Sequence, residues 1–199
     1  MIEERLLDSG IKVIAGVDEA GRGACAGPLV IAALILKDPR DKLLSDVRDS
    51  KLLSPIQREN LYELILQQSL SYSIISIPTD EIDSRGLHKS NIEGMRRAIH
   101  ALTTPPEYIL TDGYEVPGLA MPNLAVWKGD QVAISISAAS IIAKVYRDRA
   151  MQELDLQYPG YGLAEHKGYV TKAHTEALQR LGVTAIHRKS YSNVAKLTR

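Results

Sequence analysis

The stretch VIAGVDEAGRGACAGPLVIAALIL, residues 13–36, constrains this chain more than any other. It holds two apolar runs, Val13–Ala20 and Pro28–Leu36, joined by a connection containing Gly21, Gly23 and Gly27. Apolar runs of this length, rich in Val and Ile and bounded by turn residues, read as buried strands. The first run nevertheless closes on two adjacent acids, Asp18 and Glu19. A carboxylate at the end of a buried strand is costly unless something positive neutralises it.

The rest of the chain can be read around this pair. Ser54 as N-cap and Pro55 at the first helical position open a helix through SPIQRENLYELILQQ. SYSIISIP gives a third strand, ended by Pro78, and SNIEGMRRAIHAL a helix with Ser90 as N-cap and Glu93 three residues on. EYILTDG is a short strand ending at Asp112, and LAVWKGD a weaker one ending near Asp130. ISISAASIIAKVYRDRAMQEL reads as a long, buried, Ala-rich helix. A Gly/Tyr/His/Lys loop from Tyr158, a helix around TKAHTEALQRLG and a basic stretch complete the chain. Strands first, then strands alternating with helices, point to a mixed α/β sheet with helices on its faces. With no linker in evidence, the expectation is one domain, residues 1–199, in which residues from about 158 onward form a small helical extension.

Composition narrows the setting. Apolar residues make up 45% of the 199, so a core is available, although Phe is absent. Basic and acidic residues balance at 24 each, but residues 1–143 hold 14 basic and 19 acidic side chains and residues 144–199 hold 10 and 5. That asymmetry fits a basic surface beside an acidic one, and equally a chance distribution over helices. Cys25 is the single cysteine, which suits a reducing compartment. The first twelve residues lack the apolar region of a secretory signal, and no apolar run approaches the roughly 20 residues of a membrane span. The expectation is a cytoplasmic protein with no membrane contact.

Asp18, Glu19, Asp112 and Asp130 all sit where strands end, the place where open α/β sheets bind ligands. Brought together, such acids repel and retain protons unless a cation sits among them. All-oxygen ligation suits Mg²⁺ or Mn²⁺ rather than zinc, and two such ions can drive phosphoryl transfer. The alternative is that each Asp merely caps a turn beside glycine. The Gly21–Arg22–Gly23 turn offers backbone groups to a phosphate or a sugar hydroxyl, or is a plain hairpin. GRGACA lacks the third glycine of a dinucleotide fingerprint. Cys25 has no His beside it in sequence, which argues against a nucleophile.

GVDEAGRG, DSKLLS, TDG, KGD, SISAASIIAKVYRD and YPGYGLAEHKGY occur in that order, and together they resemble the bacterial ribonuclease HII family across nearly the whole chain. The resemblance implies a ribonuclease H-like α/β fold: a mixed five-stranded sheet flanked by helices, with a helical C-terminal extension. It implies cleavage of the RNA strand of RNA/DNA hybrids and nicking of DNA duplexes 5′ of single embedded ribonucleotides. Two-metal hydrolysis with Mg²⁺ or Mn²⁺ would leave 3′-hydroxyl and 5′-phosphate ends. Asp18, Glu19, Asp112 and Asp130 match the family's metal ligands and catalytic acids. Gly21, Arg22 and Gly23 match the turn that senses the 2′-hydroxyl, Lys51 a phosphate-facing lysine, and Tyr161 the tyrosine that stacks on the neighbouring deoxyribose. The implied partners are hybrids and ribonucleotide-containing duplexes, bound by a monomer; a sliding-clamp contact is not visible in the sequence.

Other residues read less distinctly. His166 and Lys167 suit backbone contact or shaping of the Tyr161 loop, with His166 read as structural. Ser137 and Ser140 read as helix-packing groups beside Lys144, and Arg147 and Asp148 as members of structural ion pairs. The basic tail suits salt-sensitive duplex binding. Ala24, Leu163 and Tyr191 depart from the family's usual proline, phenylalanine and phenylalanine. Three rivals remain: another metal-dependent nuclease or integrase of the same fold class, a nucleic-acid-binding module without catalysis, and, least favoured, a dinucleotide-binding oxidoreductase.

Overall fold

The structure is a computed structural model that describes residues 1–47, 50 and 53–197. The expected five-stranded mixed sheet is present. Its strands are β1 (Ile14–Ala20), β2 (Leu29–Leu36), β3 (Ser69–Ile77), β4 (Tyr108–Asp112) and β5 (Asn123–Val126). They lie in the order β3-β2-β1-β4-β5, with β1 antiparallel to β2, β2 to β3, and β4 parallel to both β1 and β5. The acid-bearing strand is therefore the middle of the sheet.

Eight helices surround it among the described residues: α1 (Ile2–Asp8), α2 (Pro55–Gln68), α3 (Thr79–Arg85), α4 (Leu87–His100), α5 (Ile134–Gln157), α6 (Leu163–His166), α7 (Lys172–Leu181) and α8 (Ser192–Ala195). Alternate residues of the inner strands serve opposite layers, as pleating requires. Ala20, Val30, Ala32 and Leu34 pack with α2 and α5, whereas Ala15, Val17, Ile31 and Ala33 pack with Met95 and Ile99 of α4. Every residue of β2 is buried. At roughly 1.5–3 kcal/mol for each large apolar side chain so buried, these layers outweigh the cost of one or two carboxylates at a strand end.

Gly16 lets α5 approach this closely. A Cβ there would stand 2.1 Å from the Ser135 carbonyl carbon, in the first turn of α5. The α5 N-terminus is capped from far away: Glu3, fully buried on α1, accepts hydrogen bonds from the Ser135 N–H (2.8 Å) and hydroxyl (2.6 Å). Ser54 caps α2 as its sequence predicts, with Gln57 closing the capping box. Ser90 does not cap α4. The helix begins three residues earlier, at Leu87 after Gly86, and the buried Ser90 hydroxyl donates to Glu81 of α3 instead.

The segment after α5 forms its own small core, in which Tyr161, Leu163, Leu178 and Ile186 pack on Ala26 and Met151. Among the described residues, no helix is long and apolar enough to cross a membrane.

Candidate active site

Val17 pairs with Thr111 across the parallel β1–β4 ladder, so the next residues along, Asp18 and Asp112, lie side by side just past its last pair, although β1 itself runs on to Ala20. By the pleat, Asp18 shares its face with Gly16 and Ala20, the side covered by α5. A cavity of about 220 Å³ opens here, lined by Asp18, Glu19, Asp112 and the Gly21–Arg22–Gly23 turn. Ser50, Ser140, Lys144 and Tyr169 complete its wall.

Asp18 is 5% exposed, and its Oδ1 accepts the Glu19 N–H at 2.7 Å. Burial first, then the negative charges of Glu19 and Asp112, pushes its pKa well above the usual carboxylate range. The Glu19 N–H and the Ser140 hydroxyl act the other way. Ser140 is itself held by the Ser50 hydroxyl at 2.8 Å. Ser140 is therefore a site residue, not the packing group its sequence suggests.

Asp112 Oδ1 accepts the Gly129 N–H at 2.7 Å, which pins a 3₁₀ turn, Gly129–Gln131, to the end of β4. Asp130 lies on that turn and is 4% exposed. The chain reaches it through Lys128 in a left-handed conformation (φ 54°). From α5, Ser137 donates to the Asp130 carbonyl at 2.7 Å. Asp130 thus sits one residue beyond the amide that Asp112 holds, and is not among the residues that line the cavity.

The donor set suits a hard divalent cation. It is all oxygen, and burial together with the charges of Glu19 and Asp112 disfavours the Asp18 carboxylate, a cost that a cation would offset in place of a proton. The carboxylates stand apart rather than in a finished cage: among the described residues, no three His, Cys, Asp or Glu side chains converge as a complete metal site.

Gly21 has φ 89°, and a Cβ on it would lie 1.8 Å from Arg147 Nε, so this position takes glycine for two reasons. Arg147 is not in the expected ion pair. Its guanidinium donates to the carbonyls of Ala26, Pro28 and Lys167, and desolvation lowers its pKa to about 10. Asp148 pairs with Lys144 at 2.6 Å instead. The Arg22 guanidinium lies over the Tyr114 ring, 4.4 Å from its centroid.

Tyr161 requires a correction. It is 6% exposed, packed in the C-terminal core, and its hydroxyl donates to the Gly182 carbonyl at 2.8 Å. It does not line the cavity, because that bond and the core around its ring hold it beneath the loop. Tyr169, eight residues on, lines the cavity instead, and its Cε1 would lie 3.7 Å from a Cβ at Gly23. Lys51 lies outside the described residues.

The loop carrying Tyr169 is braced by histidines. His174 Nδ1 meets the Tyr169 carbonyl at 2.9 Å, His174 Nε2 meets His187 Nε2 at 3.3 Å, and the Thr184 N–H donates to His187 Nδ1 at 3.1 Å. One assignment satisfies all three contacts, with both rings neutral: His187 donates to His174, which donates to Tyr169. Burial first, then His174, lowers the His187 pKa to about 4. His166 stacks on His174 at 4.3 Å and bonds the Tyr161 carbonyl, the structural role expected of it. Cys25 does have a histidine neighbour, with Sγ 3.7 Å from His174 Nδ1, but burial raises its thiol pKa and leaves it inert.

Comparison with known proteins matches these features to one family. The family model for ribonuclease HII matches residues 15–194. Ribonuclease HII of Salinispora tropica is 53% identical over 99% of this chain and 73% of its own length. The crystal structure of ribonuclease H2 from Pyrococcus horikoshii superposes with a TM-score of 0.81 at 30% identity, covering 93% of this chain and 96% of that one. Ribonuclease HII of Archaeoglobus fulgidus, solved in complex with PCNA, gives 0.79 at 28% identity over 90% and 95%. The chain belongs to the ribonuclease HII family, divalent-metal-dependent endoribonucleases that act on RNA/DNA hybrids.

Proposed function

We propose that this chain, acting as a cytoplasmic monomer, hydrolyses the RNA strand of hybrids and also nicks DNA duplexes on the 5′ side of a single embedded ribonucleotide, leaving 3′-hydroxyl and 5′-phosphate ends. The observation that carries this reading is the shared wall of one cavity, where Asp18, Glu19 and Asp112 face the Gly21–Arg22–Gly23 turn and Tyr169. Acid chemistry for a phosphodiester and a glycine turn for a sugar thus meet within a single nucleotide's reach.

Asp18, Glu19, Asp112 and Asp130 would hold two Mg²⁺ or Mn²⁺ ions. Bound there, the ions supply positive charge to the scissile phosphate and to the oxygens that attack and leave. Ser140 and the Glu19 N–H orient Asp18, and the Gly129 N–H orients Asp112. The turn's N–H groups meet the 2′-oxygen, the atom that distinguishes RNA from DNA. A sugar without it leaves them unpaired, a strong basis for rejection. Tyr169 stacks on the adjoining sugar, the role that the family resemblance implied for Tyr161. Lys51 remains a phosphate contact on the resemblance alone. The complex of the Archaeoglobus fulgidus enzyme with PCNA supports extending the reading to a sliding-clamp partner here.

The test compares a duplex containing one ribonucleotide with a matched all-DNA duplex, with and without EDTA. A nick appears only in the first and disappears with EDTA. Tyr169→Ala lowers that nicking about 10- to 100-fold, the scale of one lost stacking contact, whereas Tyr161→Phe does not. Equal cutting of both duplexes overturns the reading.

A further inference from the structure

The C-terminal segment grips the glycine turn from behind. Tyr191 donates its hydroxyl to the Arg22 carbonyl at 2.7 Å, and Arg188 Nη1 reaches the same carbonyl at 3.1 Å and the Tyr191 oxygen at 2.9 Å. Arg188 is fully buried, and its Nε and Nη2 both donate to the Gly27 carbonyl. Its own N–H donates to Cys25, and Ala26 bridges His187, so the two segments are in register. Asp83 of α3 holds the intervening residues by accepting the N–H groups of Lys189 (2.8 Å) and Ser190 (2.9 Å).

A trans peptide is a rigid plane with its C=O and N–H pointing in opposite directions, and no peptide among the described residues is cis. The Arg22 carbonyl and the Gly23 N–H share one such plane. Bonds that draw the carbonyl toward Arg188 and Tyr191 therefore aim the Gly23 N–H the opposite way. The Gly21 carbonyl, which accepts the Ala24 N–H at 3.2 Å, fixes the Arg22 N–H by the same rule. Two donors are thus oriented before any ligand arrives. Glycine flanks Arg22 on both sides and resists rotation poorly, so external bonds must supply the stiffness.

We propose that Tyr191 and Arg188 are positioning residues for ribose recognition: by gripping the Arg22 carbonyl they set how strongly the enzyme prefers a ribonucleotide over a deoxyribonucleotide. This rests on the reading of the turn given above. Neither residue touches substrate, and both act through the Arg22–Gly23 peptide.

The decisive variant is Tyr191→Phe, which deletes one hydroxyl and keeps the ring. Its affinities for a single-ribonucleotide duplex and the matched all-DNA duplex are measured by fluorescence anisotropy, in EDTA so that neither is cut. The expected result is a ribo/deoxy affinity ratio about 3- to 10-fold below wild type, the worth of one hydrogen bond, with all-DNA affinity unchanged. In the presence of metal, kcat/KM on the ribonucleotide duplex falls in parallel. Arg188→Lys lowers the ratio further, and where that variant fails to fold, Tyr191→Phe alone decides. A Tyr191→Phe protein with the wild-type ratio, whether or not its melting temperature drops, overturns the proposal. A wild-type protein that shows no preference overturns the reading of the turn itself, a result distinguishable from the first.

Discussion

Two carboxylates lie buried against α5, and the fold treats them oppositely. Glu3 is fully buried at the helix N-terminus, where the Ser135 amide and hydroxyl donate to it and the helix dipole favours its charge. Asp18 is 5% exposed about a turn and a half farther along the helix, beside Ser140, facing the negative charges of Glu19 and Asp112. The protein gives one Glu3 oxygen two donors and leaves the other without a hydrogen bond, whereas Asp18 faces negative charges that only a cation from solution would offset. A buried acid set among like charges therefore marks the functional end of the helix, and one set on the helix's own donors marks the structural end.

The largest expected effect comes from neutralising the acid set among like charges. Asp18→Asn lowers cleavage by more than about 1,000-fold, roughly 4 kcal/mol of barrier, while its melting temperature in EDTA equals or exceeds that of wild type. Mg²⁺ raises the melting temperature of wild type and not of the variant, by mass action on the folded state. A variant that melts lower in EDTA would place Asp18 with Glu3 and dissolve the contrast.

A buried group that the protein keeps neutral sharpens it. His187, 1% exposed, is held to a pKa of about 4, against about 6.5 in an unfolded chain. Its contribution to stability is complete above about pH 6.5. As pH falls toward 4 the unfolded chain takes up a proton that the folded one refuses, and roughly 3 kcal/mol is lost. Denaturant unfolding across this range gives a steeper decline for wild type than for His187→Gln; parallel declines would remove the histidine chain from the account.

The smallest effect comes from the acid at the helix N-terminus. Glu3→Gln keeps an oxygen for Ser135 but loses the charge, and destabilises by about 1–2 kcal/mol. Cleavage by the folded variant stays at the wild-type rate. A large loss of activity would mean that the two ends of α5 are not separable.

The sequence carried most of the frame, because strand and helix periodicities are local. The Ser54–Pro55 helix start, the middle strands and α5 all fall where their residue patterns put them. The strand-end acids were legible because an acid closing an apolar run contradicts its surroundings. The pocket tyrosine was not, since Tyr161 and Tyr169 flank one short helix, α6, and the bond from Tyr161 to the Gly182 carbonyl, beyond α7, forms only in the folded chain. Nor were the buried arginines. Charge suggests exposure, whereas Arg147 and Arg188 are sequestered by carbonyls of residues 22–28 and 167 that only the folded chain brings to them.

The grip of Arg188 and Tyr191 on Arg22 spans more than 160 positions. During synthesis all four acids, the last at Asp130, leave the ribosome well before either residue does. If the turn reads the sugar as proposed, a chain that has not yet reached Arg188 lacks the bonds that would stiffen it. On that proposal, discrimination waits on residues made long after the acids.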